Sequence, residues 1–413
     1  MATSTTAQET VRMTLDSCLR YAHDHNLQVQ TAILNQESSE ASLTGAKMRF
    51  LPSVSATASQ GWSWAEQKNS NTQYGVNGSL TLFNGLSTVR SLKHSRLSSD
   101  QSALKVKQTE NSVDIQIMQS YLSILMNQEK QSYQQEVLET SRQQKLEGEV
   151  KHQVGRILES DYLLLDANYT AAEADLENTR LAIKDALYGL ADILGMTGMN
   201  IEVVPSDDTL HAADRTVPER DSLMAQAQRS MPDWKISEMD VDLARLNVRL
   251  AESSFMPTLS LNAGYGGQWL PGVTSSTKST FSDNTSLTLG LNIPIFDQGS
   301  NVTQYKQSKI ALQQAELQHQ QTLLDLQAQI DDLYLTTQQA LNRYRASESL
   351  CEAYRASYEV YVVKYAEGAV TTVELLQQQD RYLSALNDYL QNKYNYLLAE
   401  KQLDIYTGKE IKL

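Results

Sequence analysis

Four stretches of the chain alternate apolar and polar side chains with a period of two, the signature of strands with one apolar and one polar face. From Ser53 to Trp64, Val54, Ala56, Ala58, Trp62 and Trp64 point one way, interrupted by Gln60; Ser53, Ser55, Thr57, Ser59 and Ser63 point the other. A second stretch sets Tyr74, Val76, Leu80 and Leu82 against Asn77, Ser79 and Thr81. A third sets Leu259, Leu261, Ala263, Tyr265 and Trp269 against Ser260, Asn262 and Gln268. The fourth sets Leu287, Leu289, Leu291, Ile293 and Ile295 against Ser286, Thr288 and Asn292. Each spans about ten residues, the length a tilted strand needs to cross a bilayer. Trp62, Trp64, Tyr74, Tyr265 and Trp269 gather near one end of their strands, as an interfacial aromatic girdle would. The polar faces carry Ser, Thr, Asn and Gln, which suit a water-filled lumen; a soluble sandwich with one wet face is the competing reading.

Between these stretches the pattern turns helical. Of seven prolines, none lies between Gly85 and Gly195 or after Pro294, so very long helices are permitted there. Leu86 to Val150 and Ser300 to Glu367 are each roughly 65 residues, near 100 Å at about 1.5 Å per residue. Shorter return helices are predicted over 157–194 and 370–406, and pre-strand helices over 27–49 and 234–254. A pre-strand helix laid end to end with a return helix nearly matches one long helix, as parallel staves of one wall would. Ile310, Leu317 and Leu324 keep a seven-residue spacing that Ile330 and Leu333 continue; Val106, Val113, Ile117 and Ile124 do likewise, less strictly. An ordinary helical bundle or coiled-coil scaffold would fit these helices taken alone.

The chain says this twice. Arg49-Phe50-Leu51-Pro52 and Ser254-Phe255-Met256-Pro257 open the first and third stretches, and Phe83-Asn84-Gly85 and Phe296-Asp297-Gln298-Gly299 close the second and fourth. Each long run then breaks at a glycine, Gly155 or Gly368, with an acid six residues on, Asp161 or Glu374. Between the halves, Gly195 to Pro232 holds three prolines with Asp207, Asp208, Asp214, Glu219 and Asp221, and reads as a connection with a strand at Ile201 to Val204.

Composition narrows the function. Mean hydropathy is −0.42, low for a solid core over 413 residues and compatible with a hollow one. No window approaches 18 consecutive apolar residues, so no transmembrane helix is predicted. Met1 to Thr10 has no apolar run of the signal-peptide kind: the chain is either cytoplasmic or has its signal peptide replaced by an initiator Met. The net charge of −14, without a Lys/Arg-rich run, argues against nucleic acid as a partner. Cys18 and Cys351 belong to no CxxC pair or Cys/His cluster and read as buried thiols. Among six histidines only His23 and His25 are near neighbours, and i, i+2 on a helix point apart, so no metal or other cofactor is expected. GxSxG, HExxH, P-loop and GxGxxG motifs do not occur, and Asp331-Asp332 reads as a solvated helix face; no catalysis is expected.

Asp161 and Glu374 hold two readings. An acid in the first turn of a helix is ordinary capping chemistry. In a threefold assembly the same acids would place six carboxylates at one end of a tube, repelling anions and favouring cations. Assembly follows from the strand count. Four strands cannot close a barrel, and open edges are not tolerated in lipid; two chains would give eight strands and a filled interior, three would give twelve and room for a passage.

The chain resembles the TolC-like outer membrane factor family over almost its whole length. Thr14-Leu15-Asp16-Ser17-Cys18-Leu19 with Ala22-His23-Asp24-His25-Asn26 is similar to that family's opening helix. Phe50-Leu51-Pro52-Ser53 and Phe255-Met256-Pro257-Thr258 are similar to its entries into the first and third strands, and the Phe-and-turn segments to its exits into the long helices. Val154-Gly155 through Asp161-Tyr162-Leu163-Leu164, and Glu367-Gly368 through Glu374-Leu375-Leu376, are similar to its periplasmic tip turns.

The resemblance implies an α+β membrane protein with an internally duplicated strand-strand-long helix-helix unit. It implies a homotrimer whose four strands per chain build a 12-stranded β-barrel in outer-membrane lipid, continuing into a 12-helix α-barrel in the periplasm. The expected parts are N-terminal helices (1–51), the first β-hairpin of the membrane barrel (52–84), a long and a return helix of the periplasmic tunnel (85–195), an equatorial connection (196–233), a helix of the second repeat (234–256), the second β-hairpin (257–296), and a long helix, return helix and C-terminal equatorial segment (297–413). The implied function is a passive exit duct of a tripartite efflux or type I secretion system, docked to a periplasmic adaptor protein and an inner-membrane pump. Drug or metal efflux and protein secretion both fit. The alternative is a soluble coiled-coil scaffold with β-domains. Asp161 and Glu374 resemble the family's constriction acids, with Gln377 and Tyr365 beside them. Val154, Gly155, Arg156, Gly368, Ala369 and Val370 are the expected adaptor-contact tips. Gln377 stands where some members carry a second acid, and Val370 where some carry an Arg that locks the closed state; Tyr365 remains available for a hydrogen-bonded latch. No lipid-anchor Cys stands at the N-terminus.

Overall fold

A computed structural model describes residues 10–64, 68–196, 200–204, 217–270 and 280–409. The prolines at 205 and 271 and the acids at 207, 208 and 214 lie outside the described residues. In chain order the elements are β1 (Thr10–Met13), α1 (Leu15–His25), α2 (Leu27–Met48), β2 (Ser53–Trp64), β3 (Lys68–Asn84), α3 (Ser87–Gln153), α4 (Glu159–Leu194), β4 (Asn200–Val203), α5 (Arg220–Ser230), α6 (Pro232–Ser253), β5 (Thr258–Leu270), β6 (Thr280–Asn292), α7 (Ser300–Ala366) and α8 (Thr372–Thr407). The helices of the two halves match in length: α2 and α6 have 22 residues, α3 and α7 have 67, α4 and α8 have 36. No described helix is long and apolar enough to cross a membrane.

The chain divides into two compact units, with the divisions inside α2, α3 and α7 and after the first residue of α6. One unit (33–105 and 233–323) contains an antiparallel sheet of order β2-β3-β5-β6. Its register keeps like with like. Leu80, Leu261 and Leu289 lie side by side on one face; Ser55, Asn77, Gly264 and Ser286 lie side by side on the other. The alternation read from the sequence is therefore continued across all four strands. Three ends differ from the sequence pattern, among them the start of β6, which lies at Thr280, ahead of the alternation that begins near Ser286. β6 stops at Asn292, because Pro294 has no N–H to donate and holds Ile293 away from further pairing. β3 begins at Lys68, because its polar start still pairs with Ser59 to Trp64 although it lacks an apolar rhythm. The strands β2 and β6 each have one edge with no partner among the described residues.

The other unit (1–32, 106–232 and 324–413) holds the cores. The first surrounds the short parallel pair β1–β4: Met13, Leu15, Cys18, Ile117, Tyr121, Leu190 and Ile201 are all buried. Burial pushes the Cys18 thiol up to about 12, so it behaves as an apolar filler. The predicted strand near Ile201 is thus present, but its partner β1 is four residues with no readable period. Helix α5 also goes beyond the sequence reading of a plain connection; Leu223, Ala227 and Met231, at i, i+4 and i+8, bury one stripe against Leu326 and Ile330.

Single side chains join pairs of helix termini. Asn26 caps α2, its Oδ1 accepting from the backbone N–H groups of Gln28 (2.8 Å) and Val29 (3.3 Å). Its Nδ2 donates to the carbonyl of Ile193 in the last turn of α4 (2.7 Å). One side chain thus satisfies orphan groups of two helix termini. In the second half Ser230, at the end of α5, donates to the Tyr406 carbonyl in the last turn of α8 (3.2 Å).

Candidate functional site

The sequence places its site residues at the two turns that reverse the chain, between α3 and α4 and between α7 and α8. Both turns use one backbone solution. Gly155 and Gly368 take left-handed φ values of 70° and 77°, where a side chain is strained and glycine is not. In the first, Gly155 N–H donates to His152 O (2.9 Å) and Arg156 N–H to Lys151 O (2.8 Å). In the second, Gly368 N–H donates to Tyr365 O (3.1 Å) and Ala369 N–H to Lys364 O (2.8 Å). Paired bonds of this kind close the last turn of a helix at a left-handed glycine. Val154, Gly155, Arg156, Gly368 and Ala369 are exposed and Val370 is half-buried.

The acids then diverge. Thr371 is the N-cap of α8, and its hydroxyl accepts from Glu374 N–H (3.3 Å). The Glu374 carboxylate accepts in return from Thr371 N–H (2.8 Å) and Thr371 Oγ1–H (2.9 Å). Both donors favour the ionised form, so the Glu374 pKa falls below the ordinary glutamate range. The α4 N-cap is Leu158, which has no side-chain acceptor. Asp161 occupies the same third helical position, but its carboxylate has no partner among the described residues. The sequence signal for this difference is Thr-x-x-Glu at Thr371 to Glu374, a capping box that the spacing to Gly368 alone does not reveal. Gln377 is exposed one turn further on. Tyr365 is buried at 6 % exposure, its hydroxyl without a hydrogen-bond partner among the described residues. The Lys151 ammonium lies 4.4 Å from the centre of its ring, joining the last turns of α3 and α7.

Higher in the same unit, side chains absent from the sequence reading fasten the helices. Ser141 Oγ accepts from Asn168 Nδ2 (3.1 Å) and Gln379 Nε2 (3.3 Å), joining α3, α4 and α8. Lys393 Nζ reaches both Glu129 oxygens (2.8 and 2.7 Å), and Tyr394 donates to one of them (2.9 Å). On the sheet, the polar face carries Thr57, Ser59, Gln73, Asn77, Gln268 and Ser286. The opposite face leaves Val54, Trp62, Leu287, Leu289 and Leu291 more than 60 % exposed.

Comparison with known proteins decides the family. The outer membrane efflux protein family model matches residues 19–196 and 223–409. The chain belongs to that family. The unmatched interval holds most of the connection between the halves and the first turn of α5. The chain is 20% identical over 390 residues to outer membrane protein TolC of Vibrio cholerae, covering 92% of this chain and 87% of that protein. It is 20% identical over 297 residues to the alkaline protease secretion protein AprF of Pseudomonas aeruginosa, covering 71% and 61%. Its fold matches the solved structure of CusC with a TM-score of 0.81 at 17% sequence identity, covering 96% of this chain and 92% of that one. The chain is thus an α+β member of the outer membrane efflux protein family, a family of conduits rather than enzymes.

Proposed function

We propose that this efflux protein works as a homotrimer, three copies pooling their strands into a 12-stranded barrel in the outer membrane. The open strand edges of β2 and β6 carry this reading: a four-stranded sheet with an exposed apolar face and two unpaired edges has no stable place in lipid or in water until the edges meet others. Twelve strands leave an aqueous passage, and the uncharged polar face lines it. The matched helix lengths of 22, 67 and 36 residues support an internal duplication, in which the helices of both halves serve as staves of one periplasmic tunnel. The N-terminal helices (1–51), the hairpins (52–84 and 257–296), the tunnel helices (85–195, 234–256 and 297–413) and the equatorial connection (196–233) are assigned on this basis.

The helical end then faces the periplasm and the turns are its mouth. Asp161 and Glu374, with Gln377 and Tyr365, form the constriction. Val154, Gly155, Arg156, Gly368, Ala369 and Val370 form the docking tips for a periplasmic adaptor, through which an inner-membrane pump supplies the energy. The relatives include an outer membrane protein TolC and an alkaline protease secretion protein, so efflux and secretion both fit this reading. The test is conductance in planar bilayers. The wild-type protein should form cation-preferring channels, and the double substitution Asp161→Ala with Glu374→Ala should raise single-channel conductance or weaken cation preference. A protein that forms no channels refutes the duct; unchanged conductance and preference in the double variant refute the constriction.

A further inference from the structure

We propose that a cleft among α3, α4 and α8, well above the turns, binds a short zwitterionic peptide carrying an apolar side chain. The enclosed space is about 170 Å³, close to the ~150 Å³ of a cavity that takes a benzene molecule, so it holds one aromatic or branched side chain. Leu386 and Leu390, buried at 6 % and 2 % exposure, form the apolar part of its wall, beside the amides of Gln134, Asn168 and Gln379. Ala172 on α4 leaves the space that a larger residue would fill. Three charged groups rim it, Lys130 from α3, Asp175 from α4 and Asp380 from α8, and none of them has an ion-pair partner among the described residues. Opposite charges around one cleft, left unpaired in a unit that pairs Lys145 with Asp166 and Lys393 with Glu129, match a ligand that brings both signs.

The spacing sets its length. Ser141 bonds Gln379, so Asp380 lies near the level of Ser141, while Lys130 lies eleven residues earlier on α3, roughly 16 Å along the axis. The long Lys130 stem and the Asp380 arm close part of that distance, and a dipeptide spans about 7 Å of the rest. The carboxylate of the ligand then meets Lys130, its ammonium meets Asp380 or Asp175, and its side chain enters the apolar space.

The intact protein in detergent is titrated calorimetrically with alanyl-phenylalanine, its N-acetyl form and its C-terminal amide. The zwitterion should bind about threefold more tightly than either blocked form, as one lost charge pair at a largely exposed rim implies. Lys130→Gln should weaken the zwitterion about threefold and leave the amide unchanged; Asp380→Asn should do the same against the N-acetyl form. Ala172→Phe should abolish binding with helix content retained. Equal binding of all three peptides, no saturable binding at about 10 mM, or full binding by a folded Ala172→Phe protein each overturns the proposal. The channel reading is untouched by these outcomes.

Discussion

The α3–α4 and α7–α8 turns share a left-handed glycine, the same pair of closing hydrogen bonds and an acid at the third position of the following helix. Among the residues at which they differ, Leu158 against Thr371 at the N-cap bears most directly on the acid, itself Asp161 in one turn and Glu374 in the other. Where a hydroxyl stands at the N-cap, Glu374 is drawn back to the backbone and kept ionised by two donors. Where leucine stands there, Asp161 has no such donors among the described residues. Backbone geometry can thus be held constant while the electrical role of one position is set by its neighbour three residues away.

The strongest challenge to this pairing is at the glycines. Gly155→Val and Gly368→Val each force a β-branched residue into left-handed backbone, at a cost of at least about 1–2 kcal/mol. Nothing lies within 4 Å of a Cβ at either position, so the cost is conformational and should be alike in both turns. Hydrogen exchange of the amides in the two turns measures it; a penalty confined to one turn breaks the comparison. Next in size, Thr371→Ala removes the hydroxyl cap and should destabilise the first turn of α8 by about 1 kcal/mol, while Leu158→Ala leaves the first turn of α4 unchanged by the same measurement. The reverse experiment sharpens the point: Leu158→Thr should protect the α4 amides by about 0.5 kcal/mol and bring the Asp161 carboxylate into the bonding that Glu374 already has.

The smallest effect is acid sensitivity. Because the folded Glu374 pKa lies below its unfolded value, its cap contributes fully above about pH 4.3 and is lost as pH falls through the lower folded value. Protection of the α8 first turn should therefore decline on acidification in that window, and Glu374→Gln should remove the decline. His23 runs the opposite way: its hydrogen bond to the Asp114 carboxylate (2.7 Å) raises its pKa against the lowering effect of burial. The α1–α3 contact it makes should be strongest below about pH 6.5 and weaken as pH rises through the raised value, a dependence that His23→Gln abolishes in thermal melts.

Much of this was legible in the residues. The period-two stretches located all four long strands because one face of each is mostly apolar, and β2 runs from Ser53 to Trp64 as the alternation predicts. The absence of proline located α3 and α7 for the same reason that proline excludes helix. Less legible were contacts that depend on residues distant in sequence. The β3–β5 pairing joins the two halves of the chain, and β1 is strand only because β4 lies beside it. At the turns, glycine and acid were readable from spacing, but the split between a committed and a free carboxylate depended on Thr371, whose meaning appears only when its hydroxyl is seen to face Glu374.

The central claim is that one chain does not supply enough sheet to stand alone. Native mass measurement of the detergent-extracted protein tests it most directly. The account predicts an assembly of three 46.2 kDa chains that survives mild detergent and is released from cells only by it. A monomer that stays dispersed in detergent-free buffer would contradict it.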